Sequence, residues 1–244
     1  MKKTAKQFVK ELREDFQTLF DISEKQCRMY FSQPDLTKEK MADFFKVRMF
    51  NERWNMVEIA KKVSQLPVDT PADEAKLLAK QAFDEAEHFR LVCEVLEHIT
   101  GQPVDLNAFN ETHGELRPGY GAMLIKKYEA QEDPLVLAVY QFLVEGQGSH
   151  VWATMADCAY DDFIKKRYAK IAKDEKFHMG IGRMMLEKLC ETEESQEKAL
   201  KIAREIYWDL YECHSVALFS PTEEIKKMMR DAYGAPPREL CVAI

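Results

Sequence analysis

The chain has little of what breaks helices, with only 9 glycines and 9 prolines in 244 residues. That leaves scant room for long loops or disorder. It also lacks a surplus of positive charge. Acidic residues number 42 against 35 Lys and Arg, for a net charge of −7. No basic face for reading nucleic-acid phosphates is expected. The one compact basic run, Lys165 to Arg167, reads as a solvated helix face. No apolar run reaches the roughly 18–20 residues of a membrane span. The longest, "PLVLAVYQFLV", is interrupted by Gln141. The N-terminus starts basic but has no apolar core of a signal peptide. Six cysteines (Cys27, Cys93, Cys158, Cys190, Cys213, Cys241) are scattered without a C-x-x-C pair. This speaks against a rubredoxin-type or zinc site and suits free thiols in a reducing cytoplasm. The C-terminal "CVAI" fits a four-residue prenylation box, and is read as a coincidence. The expectation is a cytoplasmic protein without nucleic-acid or membrane partners.

What is present is helical periodicity, nearly throughout. Amphipathic stretches run over residues 2–31, 37–66 and 71–100, with Pro71 placed as a first-turn residue after Thr70. A less regular connector, 101–133, carries a short helix near 122–130. Further helices are predicted at 134–160, 161–190, 193–213 and 221–233, and no strand alternation competes with them. Short connections at "QLPVDT" and "AYDD" make two antiparallel hairpins. The long connector between them can run back along a bundle whose thirty-residue helices are roughly 45 Å long. The fold class is therefore all-α: one domain over 1–244, with a four-helix bundle at about 37–190, one long crossover, and extra N- and C-terminal helices.

Two segments of the predicted hairpins read alike: "DEAEHF" from Asp84 and "DEKFHM" from Asp174. On the inward seams, stepping by three and four, each of the four long helices carries one Glu near its middle. These are Glu52, Glu85, Glu145 and Glu175. His88 and His178 follow Glu85 and Glu175 on the same face. Four core carboxylates would repel one another and resist burial. A pair of divalent cations reverses that sign, favouring ionised carboxylates and neutral imidazoles. One Glu from each of two helices, with Glu-x-x-His from each of the other two, is the ligand set of a dinuclear carboxylate site. Glu58 competes with Glu52 on the same helix, but shares its face with Asn51, Asn55 and Lys62, which read as solvated. His98, His113 and His214 default to structural or surface roles. His150, one residue off the Glu145 seam, is a candidate behind the site.

This pattern resembles the ferritin-like diiron-carboxylate superfamily. "KDEKFHMGIG" with "EGQGSHVWATMAD" is similar to the second half of aldehyde-deformylating oxygenases. The doubled Asp-Glu-x-x-His is similar to hydroxylase subunits of bacterial multicomponent monooxygenases. The resemblance implies that Asp84 and Asp174 hold the His rings in the ligating tautomer; the alternative is a pair of exposed Asp. It also marks Ser149 as a hydroxyl tied to proton delivery, the alternative being a packing residue bonded to a backbone carbonyl. Gly146 and Gly148 either open space, permit a π-bulge or allow close packing. Val92 stands where the ribonucleotide reductase small subunit has its radical Tyr, so no tyrosyl-radical role is expected. The rubredoxin module of rubrerythrins is missing.

The implied function is an O2-activating non-haem diiron oxygenase or oxidase. Its substrate would be a small organic molecule, with Phe45, Met49, Phe142 and Trp152 available to line an apolar pocket. Two Fe ions are the expected cofactor, with manganese in one or both positions compatible with the same ligands. Glu145, with Glu52, is the carboxylate expected to shift as O2 binds. No flavin, nicotinamide or iron–sulfur fingerprint is present, so a separate electron-donor protein or the substrate supplies electrons. A monomer or homodimer fits an enzyme; a large shell would fit the alternative, iron handling or peroxide scavenging.

Overall fold

Eight helices and no strand occupy the described residues of the computed structural model, which are 3–107, 121–217 and 221–240. They are α1 (Ala5–Phe31), α2 (Lys38–Ser64), α3 (Ala72–Thr100), α4 (Gly121–Glu129), α5 (Pro134–Cys158), α6 (Asp162–Leu189), α7 (Glu193–Ala217) and α8 (Glu223–Tyr233). The chain is all-α. Residues 108–120 of the crossover, His113 among them, and the terminal "CVAI" lie outside the described residues.

The helix starts follow capping chemistry. Thr4, Thr37, Asp133, Asp161 and Thr222 each accept a backbone N–H of the first turn, satisfying a donor with no partner inside the helix. Thr4 and Gln7 bond reciprocally as a capping box. α3 differs from expectation. It starts one residue after Pro71, which itself takes the cap position and has no side-chain acceptor to offer. Asp73 and Glu74 in its first turn favour the positive end of the helix dipole instead. Its other end closes on Gly101 at φ +70°, a left-handed conformation that glycine adopts without Cβ strain.

The short connections pair α2 with α3 and α5 with α6. The pairs meet through α3 and α6, which run antiparallel: His98 reaches Asp161 at one end (2.9 Å) and Lys188 reaches Glu74 at the other (2.8 Å). α5 and α6 approach closely at Gly182, where a Cβ would lie 2.5 Å from the Phe142 backbone N. α1 lies parallel to α5, tied by Gln147 to Ser23 (2.6 Å) and Arg28 to Asp157 (2.7 Å). α7 follows α1, and α8 runs antiparallel to α1, from the Lys25–Glu224 pair to the Tyr233 hydroxyl donating to the Asp15 carbonyl. α4 packs on α2 and α5. Its Tyr128 hydroxyl donates to buried Asp209 of α7, which also takes Lys127 and Arg238.

The apolar core falls into two clusters. One gathers Phe16, Phe20, Leu143 and Trp208; the other gathers Phe45, Met49, Val92 and Tyr168. α1, α2, α5 and α6 contribute buried residues to both, α3 to the second and α7 to the first. Between the two clusters, α2, α3, α5 and α6 each present a polar turn, and those turns form the site. Phe45, Met49, Phe142 and Trp152 are all buried core residues. Gly146 and Gly148 serve close packing: a Cβ would meet Phe20 and Met179 at the first, Trp152 and Glu175 at the second. The reading of Glu58 and its neighbours as a solvated face is corrected. Asn51 is buried and Glu58 mostly so, because α4 covers this side of α2.

Candidate metal centre

Glu52, Glu85, His88, Glu145, Glu175 and His178 converge at the level where the core divides. Ligand atoms of Glu85, Glu145, Glu175 and His178 lie within 4.8 Å of one another, as do those of Glu52, Glu85 and His88. His178 Nδ1 stands 3.1 Å from Glu175 Oε2, 3.4 Å from Glu85 Oε1 and 3.8 Å from Glu145 Oε2. His88 Nδ1 stands 3.6 Å from Glu85 Oε2, 3.8 Å from Glu52 Oε2 and 3.8 Å from Glu175 Oε1. Glu85 and Glu175 therefore each point one oxygen at either imidazole. Glu52 and Glu145 stand at opposite ends.

Behind the rings, the aspartates exchange partners. Nε2 of His88 faces Asp174 Oδ2 at 3.3 Å and Nε2 of His178 faces Asp84 Oδ2 at 3.2 Å. The reason is geometric. Nδ1 turns toward the Glu of its own helix, so Nε2 points across to the other hairpin. Both aspartates are largely withdrawn from solvent, and each also takes a lysine, Lys80 on Asp84 and Lys170 on Asp174. The repeated unit is thus longer than expected: Lys80, Asp84, Glu85, His88 and Lys170, Asp174, Glu175, His178 match position for position.

The outer oxygens of the end carboxylates are held too. Arg48 donates to Glu52 Oε1. Gln81 and Gln141 donate to Glu145 Oε1 at 3.0 and 3.1 Å. Arg48, Gln141 and the two lysines escaped the sequence reading. Their signal was a polar residue four positions before Glu52, Glu145, Asp84 and Asp174, on the same helix side. Ser149 donates to the Gly146 carbonyl at 2.9 Å, a local side-chain-to-backbone bond. His150 is not brought to the site; it pairs with Glu24 at 2.7 Å and stacks on Phe20.

The electrostatics are those of a crowded anionic pocket. Burial raises the Glu85 carboxyl against the pull of the neighbouring imidazoles. Burial and the Glu145 carboxylate push Glu175 up to about 7. Burial alone would lower both imidazoles, but the carboxylates around them win, and His88 and His178 sit well above their ordinary value. Asp84 and Asp174, bonded to ring and lysine, are lowered in spite of burial. Among the buried atoms without a hydrogen-bond partner are three of the possible ligands, Glu52 Oε2, Glu85 Oε2 and His88 Nδ1. The two carboxylate oxygens lie 3.8 and 3.6 Å from the ring nitrogen. Such orphans are costly, and a divalent cation is the group that their chemistry fits. No protein-family model, curated protein or solved structure matches this chain.

Proposed function

We propose that α2, α3, α5 and α6 form a ferritin-like four-helix bundle holding two divalent ions, and that the protein is an O2-activating non-haem diiron oxygenase or oxidase. The carrying observation is the cluster of three unsatisfied ligand atoms, from Glu52, Glu85 and His88, beside a second group of four possible ligands. Glu52 and His88 would hold one ion and Glu145 and His178 the other, with Glu85 and Glu175 shared between them. Ferrous ions would supply electrons to O2.

The chain's own part is placement. Asp84 and Asp174 accept from Nε2 of the opposite rings and leave each Nδ1 as the ligating nitrogen. The apolar clusters above and below exclude water from the polar layer. Glu145 is the end carboxylate that solvent reaches, with a side chain 14% exposed against 1% for Glu52. It is the carboxylate assigned to move when substrate and O2 enter, and the Ser149 hydroxyl one turn on is the assigned proton carrier. The substrate is a small organic molecule, and electrons come from it or from a separate donor protein. No described helix is long and apolar enough to cross a membrane. Free thiols at Cys27, Cys93, Cys158, Cys190 and Cys213 fit a reducing cytoplasm.

The test is anaerobic loading of metal-free protein with Fe(II), followed by O2. Two ions per chain, a raised melting temperature and O2-dependent turnover of a small substrate by a monomer or dimer are expected. Glu85→Ala should abolish the first two. Folded protein that takes up neither iron nor manganese, with unchanged melting, overturns the proposal. Metal uptake by a large spherical assembly would shift the reading to iron storage.

A further inference from the structure

The two proposed ion positions draw on the same residue types, four ligand side chains gathering at the Glu145 end and three at the Glu52 end, and the groups behind the end carboxylates differ as well. Behind Glu52 stands the guanidinium of Arg48, which donates to Oε1. Arg48 is itself largely buried, with its side chain 15% exposed, and it is fixed 4.0 Å over the Trp152 ring. Behind Glu145 stand two neutral carboxamides, Gln81 and Gln141. Arg48 and Gln141 occupy the same place in their hairpins, four residues before the end carboxylate.

A guanidinium stays charged in any protein environment. Inside the core its field is weakly screened. It competes with an incoming dication for the Glu52 carboxylate and repels that ion directly. Amide dipoles at Glu145 orient the carboxylate without opposing a cation. The other charged groups cancel in this comparison, because Asp84 with Lys80 and Asp174 with Lys170 are matched across the site. Solvent exposure acts in the same sense, since Glu145 is the end carboxylate open to an entering ion.

We infer that the two positions fill in order, the Glu145–His178 position first and tightly, the Glu52–His88 position second and more weakly, with Arg48 setting the gap. This rests on the dinuclear reading above. Arg48 is a positioning residue: it acts through Glu52 and touches neither substrate nor ion.

The test is an anaerobic titration of the metal-free full chain with Mn(II), following free Mn(II) by electron paramagnetic resonance, with calorimetry alongside. Wild type should bind one ion, then a second with a dissociation constant at least about tenfold higher. Arg48→Gln copies the Gln141 arrangement and should narrow the gap to about threefold or less. Arg48→Lys keeps the charge and should keep the gap, which guards against a packing effect. Glu52→Gln should remove only the weak event and Glu145→Gln the tight one. Two ions of equal affinity, a gap unmoved by folded Arg48→Gln, or loss of the tight event in Glu52→Gln would overturn the inference while leaving the dinuclear site standing. No Mn(II) or Fe(II) uptake at all would remove both.

Discussion

The spacing of α5 and α6 at the site depends on Gly182, and the Gly182→Ala substitution has a magnitude that follows from the structure. An alanine Cβ would lie 2.5 Å from Phe142 N, 2.7 Å from its Cα and 3.0 Å from the Gln141 carbonyl carbon. Every one of these is backbone, so no side chain can swing aside. Relief requires the two helices to part by about 1 Å in a close-packed interior. Overpacking of this kind costs about 1–3 kcal/mol, and the upper half applies where backbone is struck. Alanine's better helix propensity returns about 1 kcal/mol. The net loss is therefore about 1–2 kcal/mol, which for a chain of this size lowers Tm by roughly 2–8 °C.

Gly180 supplies the control. A Cβ there meets nothing within 4 Å, so Gly180→Ala should raise stability by up to about 1 kcal/mol through propensity alone. Two glycine-to-alanine changes, two residues apart on one helix, are thus expected to act with opposite sign. Phe142 sits three residues before Glu145, and Gly182 four after His178. Parting the helices there also widens the distance between Glu145 and its partners, so Gly182→Ala should weaken metal binding while Gly180→Ala leaves it intact. Thermal and urea denaturation of the three metal-free proteins, with a metal titration of each, decide the matter. A Gly182→Ala protein as stable as wild type, or a destabilised Gly180→Ala, would refute the packing argument.

Other outcomes follow from the charges. The raised values of Glu85, Glu175, His88 and His178 mean that the folded metal-free chain holds more protons than the unfolded chain from about pH 4.5 to beyond about pH 7. Stability of the metal-free form should therefore fall as pH rises through that window; urea denaturation at about pH 5.5 and pH 8 should show the lower midpoint at the higher pH. The same protons must leave when ions enter, so metal affinity should rise with pH. About two or more protons should be released per chain at neutral pH, read as a dependence of calorimetric heat on the buffer's ionisation enthalpy. Asp209→Ala should cost about 1–3 kcal/mol by leaving the buried Tyr128 hydroxyl without its acceptor. Ser149→Ala should leave metal content unchanged and alter turnover, and unchanged turnover would return Ser149 to a packing role.

The helices were legible because their signals are local: a capping residue, an apolar stripe, a proline or glycine at the break. The six converging side chains were legible for a similar reason. A Glu and a His three apart on an otherwise apolar seam can be found by counting, and four such seams narrow the choice to one layer. What counting could not supply was contact between helices. Nothing in "DEAEHF" says that Asp84 meets the distant His178 and not His88. Arg48 was hidden because a basic residue four positions before an acid is also the commonest kind of surface ion pair. Only burial separates Arg48–Glu52 from Lys10–Glu14, both i,i+4 pairs, the second exposed on both sides. Glu58 and Asn51 were misread as solvated because α4, which covers them, follows a connector whose path the sequence does not specify.

The polar layer splits the apolar core in two, and a layer of that kind would be expected to loosen the chain when no ion is bound. The crossed bonds argue otherwise. His88 on α3 reaches Asp174 on α6, His178 on α6 reaches Asp84 on α3, and Gln81 on α3 reaches Glu145 on α5. Each link runs between hairpins, and none needs a cation to form. The apolar clusters on either side bury their own surface independently of the site. The metal-free chain should therefore already hold the ligand geometry, and loading should raise Tm by mass action on a preformed site with little change in helix content. Far-UV circular dichroism and amide hydrogen exchange of both forms test this. Protection of α3 and α6 amides near His88 and His178 should be present before loading and deepen after it. A metal-free form that binds a hydrophobic dye, exchanges those amides freely and gains helix on loading would show that the ions build the layer, and that the crossed bonds follow from them.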